Sequence, residues 1–131
     1  VLLLAACVTT TTRAFLPSPQ NPRYTAVSAA PVLAEYVRLQ CAALRQAQRA
    51  DSGTARFAVD TDSAGLATRA ELVRGTSDEV LDGVFGTVAA QLTFPRDSAG
   101  AAPRARRVPV DIAWRCEGER AVVQLRPAPA R

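Results

Sequence analysis

From Val108 to Arg115 the chain reads Val-Pro-Val-Asp-Ile-Ala-Trp-Arg, with a large apolar side chain at every second position. That period of two belongs to a strand with one buried face: Val108, Val110, Ile112 and Trp114 on one side, Pro109, Asp111 and Arg115 on the other. Such a strand needs neighbours to pair with and a second layer to cover its apolar face. A chain of 131 residues has room for one domain of this kind around one core.

The neighbours are legible nearby. Thr54 to Asp60 alternates, with Ala55, Phe57 and Val59 facing one way and Arg56 and Asp60 the other. The turn formers Thr61 to Gly65 lead into Leu66 to Arg74, where Leu66, Ala70 and Leu72 share a side, so these two segments predict a hairpin. Glu117-Gly118-Glu119 predicts a turn into a short last strand, Ala121 to Arg126, with Val123 and Leu125 toward the core. Pro109 lacks the donor a ladder needs and predicts that part of one edge of its strand is unpaired.

Two segments switch to the helical period. Pro31 to Ala50 places Val32, Leu33, Tyr36, Val37, Leu44 and Ala47 at helical spacing and carries Cys41. Thr76 and Glu79 have the spacing of a capping box, followed by a stripe of Val80, Leu81, Val84, Phe85, Val88 and Leu92 that Pro95 ends. Gly83 and Gly86 weaken this second helix, so packing has to hold it. The order helix, hairpin, helix, strand, strand predicts an α+β fold: an antiparallel sheet of three to four strands with two helices packed on one face.

The N-terminal run Val1-Leu2-Leu3-Leu4-Ala5-Ala6-Cys7 resembles the end of a bacterial lipoprotein signal peptide, with a lipobox at Leu4 to Cys7. Its apolar stretch is too short for a transmembrane helix, which needs about twenty residues. The resemblance implies lipid attachment at Cys7 and a place in the cell envelope. Val8 rather than Asp after Cys7 implies the outer membrane, facing the periplasm. Residues 8–30, rich in Thr and Pro, predict a flexible tether, residues 31–126 the folded domain, and residues 127–131 a disordered tail. With Cys7 lipidated, Cys41 and Cys116 remain as an even pair in an oxidising compartment and are expected to be bonded; two buried free thiols are the alternative.

Catalytic and metal chemistry finds little support. There is no His, which removes imidazole-based triads and metal sites. Cys41 and Cys116 are too far apart for a metal knuckle, and Asp60 and Asp62 lack the remaining ligands of a calcium loop. Gly83 to Gly86 lacks the Lys of a phosphate loop. An enzyme would need carboxylates such as Glu35, Asp60 and Asp111 to converge. No cofactor is implied. The net charge of +4 comes from Arg residues scattered along the chain apart from Arg104, Arg106 and Arg107, with no nucleic-acid-binding pattern beside them.

The order of elements and several landmarks resemble the C-terminal domain of the TonB and TolA type over about residues 32–114. The landmarks are Phe57-Ala58-Val59-Asp60 with Gly65, Ala70 to Gly75, Val80-Leu81-Asp82, Phe94-Pro95 and Val108-Pro109-Val110. The resemblance implies an interaction module that binds an envelope protein, such as an outer-membrane receptor, by strand addition at an open edge along Val108, Val110, Ile112 and Arg115. Three departures qualify it. Leu92-Thr93 stands where relatives place an aromatic before Phe-Pro; the spacer after Cys7 is too short for energy coupling; and the last hairpin either covers the edge permanently or acts as a displaceable lid. A structural subunit of an envelope complex, with a covered edge and an exposed apolar patch, is the alternative.

Overall fold

The computed structural model describes residues 13–95 and 105–127. Cys7 and residues 8–12 of the expected tether lie outside them, as do residues 128–131 of the expected tail. Five strands and two helices follow in the order β1 (Ala14–Phe15), α1 (Ala26–Gln46), β2 (Ser52–Thr61), β3 (Ala67–Arg74), α2 (Glu79–Ala89), β4 (Arg106–Glu117) and β5 (Arg120–Pro127). The strands form one antiparallel sheet in the order β1-β3-β2-β4-β5. The α+β class and the four expected strands are present, with β1 as an additional edge strand.

One face of the sheet is apolar. Phe57 pairs in register with Val110, Ala55 with Ile112, and Ile112 in turn with Leu125, so a continuous band of buried side chains crosses β2, β4 and β5. α1 covers β5 and β4 with Ala29, Leu33, Val37, Cys41 and Leu44, and α2 lies over β3, β1 and β2 with Leu81, Phe85 and Val88.

Helix α1 begins five residues before the expected Pro31. Thr25 caps it: its hydroxyl accepts from the Ser28 amide at 3.0 Å, and the Ser28 hydroxyl accepts from the Thr25 amide at 2.9 Å. Pro31 therefore lies inside the helix. The carbonyl its missing N–H leaves free belongs to Val27, an exposed residue, so water can satisfy it.

Within the span expected to be a tether, residues 13–25 take part in the fold. Phe15 of β1 pairs with Ala70, and the Leu72 amide donates to the Arg13 carbonyl at 2.8 Å. The fully buried Gln91 holds the following turn: its Oε1 accepts from the Ser18 amide, and its Nε2 donates to the carbonyls of Asn21 and Pro22.

At α2 the expected cap is also displaced. Asp78, not Thr76, caps the helix, its carboxylate accepting from the amides of Val80 and Leu81 at 2.9 and 3.1 Å. The amide and hydroxyl of Thr76 donate instead to Asp82, at 2.7 and 2.8 Å. The apolar stripe is narrower than expected: Val80 is exposed and Val84 half-buried. Leu92 joins the core after the helix has ended, bridging to Tyr24. Gly86 has a specific purpose, because a Cβ there would occupy the place of the Phe15 ring.

Candidate functional site

The phase of the β4 ladder decides where the sheet is open. The Cys116 amide donates to the Asp51 carbonyl at 2.8 Å, so Cys116 turns its backbone groups toward β2. In an antiparallel ladder this alternates: Trp114, Ile112 and Val110 also address β2, while Glu117, Arg115, Ala113 and Asp111 address β5. Their register partners Arg120, Val122, Gln124 and Arg126 are thereby occupied. Ala121, Val123 and Leu125 point their N–H and C=O groups outward, and among the described residues no strand pairs with them.

The residues expected to form the binding edge lie mostly within the sheet. Val110 and Ile112 pair with both β2 and β5, and Val108 with β2 but, among the described residues, not with β5; the side chains of all three are buried in the core. Arg115 is exposed on the outer face beside Glu117. Pro109 shares the phase of the β5-facing residues, so its missing donor lies where the described β4–β5 ladder ends, at the Val110–Pro127 pair. Among the described residues, Pro109 and the β4 residues before it have no partner on the β5 side, in keeping with the unpaired stretch the proline predicts.

The cover is built into the core. Val123 and Leu125 of β5 are buried under α1, and the Arg45 guanidinium donates to the Gly118 carbonyl at the hairpin turn. Cys41 and Cys116 are bonded as expected, with their Cα atoms 6.0 Å apart, tying α1 to the end of β4 beside that turn.

The outer face of the sheet carries a lattice of ion pairs. Arg56 grips Asp111 through two hydrogen bonds, and Arg107 spans Asp60 and Glu71, with Arg69 also on Glu71. The Arg56 hydrogen bond holds the Asp111 carboxyl below the usual carboxylate range, and Arg107 followed by Arg69 does the same for Glu71. Asp60 and Asp111 are thus engaged on this face, while Glu35 lies on α1 against Arg38. Arg120 and Arg126 flank the outward edge of β5, with Val122 and Gln124 between them.

The helical layer carries a different feature, a groove of about 500 Å³ lined by Val32, Tyr36, Val80, Val84, Tyr24 and Arg13 among others. The sequence reading missed this groove, because it took Val80 and Tyr36 for core. Trp114 is in the core as expected, close to Gly53, and its Nε1 has no partner among the described residues. No group of three or more potential metal ligands occurs among the described residues, and no described helix is long and apolar enough to cross a membrane. No family model, curated protein or solved structure matches the chain.

Proposed function

We propose that this chain is a cell-envelope interaction module that binds a protein partner by strand addition, and that the partner pairs with the outer edge of β5. The observation that carries the reading is the row of outward backbone groups at Ala121, Val123 and Leu125, on a strand whose other side is fully paired. An extended segment laid there gains main-chain hydrogen bonds, with selectivity left to side chains on either face. Arg120, Arg126 and Pro127 at the same edge discourage indiscriminate edge-to-edge association, a usual safeguard of open strands.

The resemblance to TonB-type C-terminal domains supports the binding habit, while the lipobox-like run at Cys7 supports a lipid anchor on the outer membrane. The module binds without transducing energy. The displaceable lid is not favoured, since β5 contributes Val123 and Leu125 to the core.

The test is photocrosslinking in cells from probes at Val122 and Gln124, with a probe at Ser63 in the β2–β3 turn as the control. A common envelope-protein adduct from the first two and not the third supports the reading. An adduct only from probes over the helical layer, such as at Thr87, favours the structural-subunit alternative.

A further inference from the structure

No described residue fills the groove of the helical layer, although its rim is apolar. Tyr36, Leu39 and Val80 are 48%, 61% and 57% exposed. On α1, Tyr36 follows Val32 by four residues and both line the groove with Val80 and Val84 of α2; Leu39, three residues past Tyr36, continues their stripe beyond the groove lining. Charge on the rim is balanced: Glu79 and Arg13, one acidic and one basic, both line the groove.

What lies against this stripe is constrained by where the chain enters the fold. Arg13 lines the groove, and its guanidinium comes within 3.2 Å of the position a Cβ would take on Gly83, against the exposed side of α2. Six peptide steps separate Arg13 from Cys7. Even fully extended, six steps span about 20 Å. A lipid on Cys7 therefore keeps Arg13, which lies against α2, within about that distance of the bilayer surface.

We propose that the helical layer rests on the lipid bilayer that holds the Cys7 anchor, with Tyr36, Leu39 and Val80 seated at the boundary between headgroups and acyl chains. The inference rests on the reading of Cys7 as the lipid-attachment site. Tyr suits that boundary because its ring is apolar and its hydroxyl polar, and Arg13 can lay its stem along the surface while its guanidinium reaches a phosphate. The balanced rim makes contact depend on apolar burial and the tether, so zwitterionic lipid suffices.

The test couples the full chain, oxidised at Cys41–Cys116, through the Cys7 thiol to a maleimide phospholipid. The vesicles are phosphatidylcholine with some phosphatidylglycerol, and the phosphatidylcholine is brominated in its acyl chains. Val80→Trp and Tyr36→Trp report from the groove, and Gln124→Trp from the outer face of the sheet. The proposal predicts severalfold stronger bromine quenching for the two groove sites than for Gln124→Trp, unchanged when phosphatidylglycerol is omitted. Quenching at Val80→Trp no greater than at Gln124→Trp overturns it, as does protection of both groove sites by a second copy, seen as a dimer in sedimentation. Because the lipid is attached chemically, the result is separate from the anchor reading, which fails if mass spectrometry of the envelope protein finds no acyl group on Cys7.

Discussion

Gln91 shows how a single residue can organise a segment the sequence leaves featureless. Its side chain is 1% exposed and makes three hydrogen bonds to backbone groups of residues 18–22. Replacing it with Ala leaves those groups without their partner, and the expected loss is about 1–3 kcal/mol, measured by urea unfolding, with faster proteolysis between Phe15 and Thr25. Gly86→Ala acts on the same segment from the other side, because the added methyl displaces Phe15. Asp111 and Glu71 contribute to the response to acid. Their folded pKa values lie below the unfolded ones, so their contribution to stability is full above the ordinary carboxylate range and is lost as pH falls below about 4. Asp111→Asn should lower stability at neutral pH and flatten the loss on acidification, as followed by thermal melts across pH.

At the scale of elements, the hairpin of β4 and β5 is held by its disulfide and by burial. Cys41 and Cys116 are 75 residues apart, and closing a loop of that length is worth roughly 4 kcal/mol on the chain-entropy account. Reduction, or Cys41→Ala with Cys116→Ala, should lower the melting temperature strongly without changing the fold. Deleting residues 119–131 removes Val123 and Leu125 from the core, so loss of cooperative unfolding is expected rather than exposure of a working β4 edge. The elements that could be read from sequence are those with a clear period: β2, β3, β4, β5 and most of α1 and α2 follow alternation or helical spacing. β1 could not be read, since two residues show no period and its pairing is set by Phe15 fitting over Gly86. The start of α1 was hidden because Pro31 resembles a first-turn proline, while the Thr25–Ser28 box uses Ser where Glu or Gln is the usual signal. The phase of Pro109 was likewise beyond the sequence, because alternation tells which face a side chain takes but not which neighbour the backbone addresses.

Across the whole molecule, the sheet separates three surfaces: an edge at β5, an outer face of ion pairs, and a helical layer with an apolar groove. The binding account concerns the first. A proline at Ala121 removes only an outward donor and should leave stability nearly unchanged while abolishing partner capture, whereas a proline at Val122 removes a ladder donor and should destabilise the fold. The most direct measurement is residue-resolved amide hydrogen exchange of the chain, alone and with the captured partner's binding segment. The account predicts fast exchange at Ala121, Val123 and Leu125 in the free protein beside slow exchange at Val122 and Gln124, and protection of the first three when the partner binds. Slow exchange at all five in the free monomer, or binding that leaves Ala121, Val123 and Leu125 unprotected, would contradict it.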